Sequence, residues 1–227
     1  MIAQVHTISH GAAMTTYAMD KLDAETVKLN FLPEDLSPSA IWGRMMLHIR
    51  ETERQRKGNN EFKKFAIRIE LSPSKEETEG WTMADWQQLV DEFINEFDSL
   101  DMTPYHCRPK DAHTNLAHSQ YVASLHVDSE SGIPHLHIVV NRVDMNGHVN
   151  NDHKIRERGW MAADIINQRR RWKLPKDIRD RHRHQINDAC KAALRELDKF
   201  SWEGYCDKMK DKGYSVMLRH DKQGKLV

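Results

Sequence analysis

Nowhere in the 227 residues does an apolar run approach the roughly 18 residues that a membrane-spanning helix needs. The N-terminus, MIAQVHTISHG, lacks the basic start and apolar stretch of a signal peptide, so secretion has no support and the cytoplasm is the expected location. Cysteine is scarce. Cys107, Cys190 and Cys206 are odd in number, far apart and without a CxxC pair, which argues against a disulfide framework or a cysteine-built zinc site. Net charge is missing as well: 34 Lys and Arg meet 34 Asp and Glu, so a nucleic-acid surface could arise only by segregation of charge. Such segregation is visible along the chain. Arg169 to Arg183, RRRWKLPKDIRDRHR, concentrates positive charge, whereas Glu76 to Asp101 is acidic.

What is present reads as alternating strands and helices. Ile2 to Ile8 is rich in β-formers and stops at Ser9-His10-Gly11, and Ala12 to Lys21 has good helix formers and no breaker. Glu25 to Phe31 fits either strand or helix. Ser37 followed by Pro38 is a helix start, and Ile41, Met45 and Ile49 give the segment to about Lys57 an apolar stripe at helical spacing. Phe65, Ile67, Ile69 and Leu71 alternate as in a strand with one buried face. Thr82 caps a helix to about Phe97 whose stripe of Trp86, Leu89, Val90, Phe93, Ile94 and Phe97 faces a core. Two strands follow, Ser119 to Val127 and His135 to Val143, with Asn146-Gly147 as a tight turn. Helices are expected from Gly159 to Lys173, Lys176 to Lys199 and Trp202 to Lys212, and then a hairpin of Tyr214 to Leu218 with Lys225 to Val227. The sum is an α+β fold with a mostly antiparallel central sheet, flanking helices and a helical C-terminal extension.

The chemistry lies in HVDSESGIPHLH. Side chains two apart on a strand share a face, so His135 and His137 project together. If Asp128 to Pro134 form a hairpin loop, His126 stands across from the pair at ~5 Å between Cβ atoms, close enough for three imidazoles to converge on one ion. Three ligands leave open positions for substrate oxygens, as catalytic metal sites do. The chain has 14 histidines, so chance scatter is the competing reading, but the hairpin placement argues for a divalent ion. Imidazole suits manganese, zinc, nickel or cobalt better than magnesium. Asp128, two residues after His126, is placed to orient a ligand or accept a proton, and Glu130 is a candidate fourth ligand. By parity Asn141 shares the face of His135 and His137, where it could contact a substrate or support the site, and Arg142 points away.

The block YVASLHVDSESGIPHLHIVVNRVDMNG resembles the third motif of relaxases in the HUH endonuclease superfamily, closest to mobilization proteins of Bacteroidetes-type elements. The initial strand with Gly11 to Tyr17 resembles their first motif, which carries the nucleophile, and the C-terminal W-x-x-Y-x-x-x-M-x-x-x-G-Y-x-V segment is of a kind common near the end of such domains. The resemblance implies an HUH relaxase fold, with a nuclease core over 1–157 and a helical extension with a terminal hairpin over 158–227. It implies nicking and rejoining of DNA at a transfer origin through a 5′-phosphotyrosyl intermediate. His126, His135 and His137 would be metal ligands, Tyr17 the nucleophile with His10 as the alternative, and Asp128 a catalytic carboxylate. A phenol with pKa ~10 needs a nearby metal or base to attack a phosphodiester. Single-stranded origin DNA is the implied partner, with accessory mobilization proteins and a type IV secretion coupling protein beside it. Arg169, Arg170, Arg171, Lys173 and Arg179 are candidate DNA contacts, with Trp172 either a stacking ring or an anchor to the core, and Arg44, His48 and Arg50 weaker ones. A rolling-circle initiator, a transposase or an inactive DNA-binding accessory protein are the alternative functions.

Overall fold

The structure is a computed structural model that describes residues 1–21, 23–56, 61–127 and 132–225. Its centre is a five-stranded sheet built from β1 (Ile2–Ile8), β2 (Glu25–Asn30), β3 (Ala66–Ser72), β4 (Ser119–His126) and β5 (His135–Asp144), in the order β1-β3-β5-β4-β2. Every neighbouring pair is antiparallel. Around it lie α1 (Gly11–Asp20), α2 (Pro38–Gln55), α3 (Met83–Ser99) and α4 (Ile155–Arg169), followed by α5 (Pro175–Arg195) and α6 (Trp202–Asp211). The expected α+β architecture is therefore the one the chain adopts, and Glu25–Asn30 resolves as strand.

Strand parity sorts the sheet into two unlike faces. One face carries Ala3, Val5, Ile67, Ile69, Leu71, Tyr121, Ala123, Leu125, Leu136, Ile138 and Val140, packed against the apolar stripes of α3 and α4. The opposite face holds a smaller cluster in which Ala18 of α1 and Ile41 and Met45 of α2 cover Ala66, Val122 and Val139. Because α1 rests on β4 and β5, the same face stays open over the edge strand β1, where Ile2 and Gln4 are exposed.

Helix starts follow the expected chemistry where side chains decide them. Ser37 accepts from the Ala40 amide ahead of Pro38, and Thr82 with Asp85 forms a capping box. Helix α4 departs from expectation: it begins at Ile155, not at Gly159. Gly159 lies inside the helix because α4 touches the sheet there, and a Cβ would stand 2.4 Å from Val5 Cγ2. The glycine marks a close approach, not a break.

By packing, the chain divides into two compact units, Met1–Lys173 and Leu174–Val227. The reading from sequence drew its line after residue 157, but α4 buries Ile155, Ala162, Ala163 and Ile166 in the larger core and so belongs to the first unit. In the second unit α6 packs on α5, and Ser201 caps α6 by accepting from the Gly204 amide. The expected terminal hairpin is reduced to a turn, with the Asp221 amide donating to the Lys225 carbonyl; Tyr214–Leu218 is not strand, and residues 226 and 227 lie outside the described residues. Among the described residues no helix is long and apolar enough to cross a membrane.

Gly11, the first residue of α1, has a similar constraint to Gly159. A Cβ there would lie 1.9 Å from the Trp42 ring of α2. Gly11→Ala should therefore cost about 1–3 kcal/mol by overpacking, measured as a lower denaturation midpoint at unchanged slope, and should push α1 and α2 apart.

Candidate metal centre

The β4–β5 register places His126 directly opposite His135, with His137 one diagonal step away opposite Ser124. Parity turns all three to the face that carries α1. Their ring centroids are 5.5 Å (His126–His135), 4.4 Å (His126–His137) and 4.9 Å (His135–His137) apart, and one nitrogen from each lies within 4.8 Å of the others. The three histidines form a cluster that can hold a metal ion.

Outer partners orient two of the rings. The His135 Nδ1–H donates to the Ile133 carbonyl at 3.1 Å, and the His126 Nε2–H donates to the Ala18 carbonyl at 2.9 Å. A carbonyl can only accept, so each of these nitrogens carries the proton and the opposite nitrogen carries the lone pair. That is how metal-binding histidines are commonly held. His137, 2% exposed, has an Nε2 that meets no hydrogen-bond partner among the described residues. Burial, reinforced by His126, His135, Arg68 and Lys21, pushes its pKa down to about 3. A buried imidazole kept neutral, with its nitrogen unsatisfied by protein, fits a metal ligand.

The Ala18 carbonyl belongs to the last turn of α1, where carbonyls have no partner within the helix. The bond from His126 therefore fastens the helix that carries Tyr17 to the cluster. The Tyr17 ring lies 5.2 Å from both His126 and His137, and is 40% exposed. Lys21, one turn on, donates to the Tyr17 hydroxyl at 3.3 Å. A cleft of about 240 Å³ opens here, lined by Ile2, Gln4, Tyr17, Glu70, Ser72, His135 and His137. His10, just ahead of α1, is not among its lining residues.

Glu70 is the residue that reading the sequence missed. It pairs with His137 across β3 and β5, and its Oε1 lies 3.3 Å from His137 Nδ1 while Arg68 forms an ion pair with the same carboxylate. Its only sequence signal is its parity, opposite to Ile67, Ile69 and Leu71; its placement beside the histidines depends on β3 pairing with β5.

Other sites from the sequence reading fall elsewhere. Asp128 and Glu130 lie outside the described residues. Asn141 does share the histidine face, but it is fully buried, donating to the Met45 carbonyl and to Gln120, so it braces α2 and has no surface to offer DNA. Arg142 points away and donates to the Asn150 carbonyl. Arg169 pairs with Glu92 and Glu96 and Arg170 with Glu92, all on α3, while Lys173 pairs with Glu76 in the turn ahead of it; none of these acids belongs to the histidine cluster. Trp172 packs with Trp81 against the core, 5.9 Å between rings, as an anchor. Arg171 is exposed, and Arg179, in the second unit, lies 3.6 Å from Asp180. His48 meets the Asp144 carbonyl and Arg50 pairs with Glu53, while Arg44 is exposed.

The neutral state of His137 has a consequence for stability. Its pKa is about 3 when folded against an ordinary value of 6.5, so between these pH values the unfolded chain binds the extra proton. The metal-free protein should lose stability as pH falls through that window, seen as denaturant midpoints that decline from pH 6.5 downward. His137→Gln should flatten the decline; an equal slope in both proteins would contradict the buried neutral imidazole.

Residues 111–172 match the family model "Relaxase: MobA/VirD2-like, nuclease domain". No curated protein matches the chain. Among solved structures, the conjugative relaxase TrwC in complex with oriT DNA, a metal-bound structure, aligns over 99% of this chain and 74% of that one, at 10% identity and a TM-score of 0.46. So remote a likeness supports no further step. The matched stretch holds β4, β5 and all three histidines, and over it the chain is recognised as similar to the MobA/VirD2-like relaxases, in keeping with the HUH motif read from its sequence.

Proposed function

We propose that the chain is a relaxase, which nicks one DNA strand at a transfer origin and rejoins it with Tyr17 as the nucleophile, so initiating conjugative mobilization. The observation that carries this reading is an exposed phenol seated beside a three-histidine cluster, two of whose members line the same cleft. The substrate would be single-stranded origin DNA, as the relaxase resemblance implies.

In the forward reaction a bond forms between Tyr17 Oη and phosphorus, and the bond from phosphorus to the 3′ oxygen breaks. The phenolic proton passes to a base, and the 3′ oxygen takes up a proton from solvent as it leaves, so that it ends as a hydroxyl. The Lys21 ammonium, donating to Oη, favours the negative charge that develops there as the proton leaves. Glu70 holds His137 in orientation from the far side. His126, His135 and His137 would hold a divalent ion, which when bound supplies neutralisation of the charge that develops on the scissile phosphate. Asp128 is the base candidate carried over from the motif. The 5′-phosphotyrosyl diester keeps the bond energy of the DNA backbone, so attack by a 3′ hydroxyl reseals the strand without ATP. Accessory mobilization proteins and a secretion coupling protein complete the expected setting.

The test is incubation with pooled single-stranded oligonucleotides from the chain's own genetic element, followed by denaturing electrophoresis. A covalent protein–DNA band is expected from the unaltered protein and none from Tyr17→Phe, which should still bind DNA. An adduct that survives this substitution removes Tyr17 from the role. Chelation by EDTA should stop cleavage and added manganese should restore it; cleavage indifferent to EDTA removes the metal.

A further inference from the structure

The open part of the histidine face carries a second group of side chains that the cleft does not use. On β1 and β3, His6 pairs with Arg68 in register, and parity puts both on the face of Gln4 and Glu70. Arg156, at the start of α4, reaches round the edge strand so that its Nε lies 3.3 Å from His6 Nδ1. Burial and the two guanidinium groups, Arg156 and then Arg68, all hold the His6 pKa down. Among the described residues Arg156 meets no carboxylate. Two guanidinium groups that converge on a histidine without a full complement of acids make a place where an anion is favoured.

One helical turn beyond Arg156, on the same side of α4, stands Trp160. It is 54% exposed and has no ring neighbour among the described residues. Residues four apart on a helix are neighbours on its surface. A large exposed ring beside an arginine, at the open edge of a sheet whose cleft takes a phosphodiester, is the pairing by which proteins hold unpaired bases.

Resting on the relaxase reading, we infer that the DNA strand leaves the cleft across the β1 edge. A phosphate neighbouring the scissile one sits among Arg68, His6 and Arg156, and a base beyond it stacks on Trp160. The spacing suits this. Arg68 is two residues from Glu70 along β3, which is ~7 Å at the usual rise of a strand, about one nucleotide of an extended strand. The path also differs from the one the basic run suggests, since Arg169 and Arg170 are held by Glu92 and Glu96.

Binding of a fluorescein-labelled oligothymidylate of about twenty nucleotides, followed by anisotropy over a series of salt concentrations, tests the path. Trp160→Ala should weaken binding roughly tenfold with an unchanged salt slope. Arg156→Ala should weaken it and also flatten the slope of log affinity against log salt by about 0.7, the loss of one phosphate contact on a single strand. Arg169→Ala should do neither. Both residues are exposed, and circular dichroism spectra matching the unaltered protein would establish that the variants fold. If the unaltered protein binds and both variants bind equally well, or if Arg169→Ala is the substitution that weakens binding, the path is overturned while the relaxase reading stands. If the unaltered protein binds no single-stranded DNA at low salt, both fall together.

Discussion

One hydrogen bond joins the two halves of the candidate site: His126 Nε2–H to the carbonyl of Ala18, 2.9 Å across 108 residues of chain. It meets three needs at once. It satisfies a carbonyl that the end of α1 leaves without a helical partner, it sets the tautomer of a candidate metal ligand, and it fixes the height of the helix on which Tyr17 stands. Because both groups are buried, losing either partner would leave the other without compensation, a cost of about 1–3 kcal/mol. The close seat of α1 depends in turn on Gly11, where the Trp42 ring leaves no room for a side chain.

The sheet makes this arrangement possible by giving its two faces different work. The apolar layer under α3 and α4 is thick enough to hold the strands in register, so the other face need not be covered everywhere. Uncovered sheet over β1 and β3 is then available to a ligand. Histidines at the ends of β4 and β5 sit where the cover of α1 stops, half against the core and half facing the cleft. Their burial keeps His137 neutral, and an unprotonated nitrogen is what a cation needs.

How far the site could be read without coordinates depended on the range of the signal. The histidine cluster was legible because two-residue parity and a hairpin are local properties, and a single pairing of β4 with β5 brings the three rings together. Tyr17 was legible only through resemblance: nothing in Ala12 to Lys21 says that the helix lies over those strands. Glu70 was hidden, since its place depends on β3 lying between β1 and β5, a non-consecutive order that no local pattern encodes. Helix α4 was displaced in the reading because a glycine normally weakens a helix, whereas here contact with Val5 requires one.

Charge was the least legible quantity, for a physical reason. The basic stretch after Arg169 and the acidic stretch from Glu76 to Asp101 look like the two poles of a segregated surface. Opposite charges on helices that pack together do not stay apart, and α3 and α4 are packed neighbours. Glu92 and Glu96 therefore face Arg169 and Arg170, and the first two arginines of the densest basic run are neutralised by the fold itself. Exposed pairs of this kind add little stability, so their main consequence is to remove positive potential from that surface. What potential remains belongs to cations that meet no acid among the described residues. In a chain with no net charge a few such groups, Arg156 foremost on the open edge beside the cleft, decide where an anionic strand is drawn.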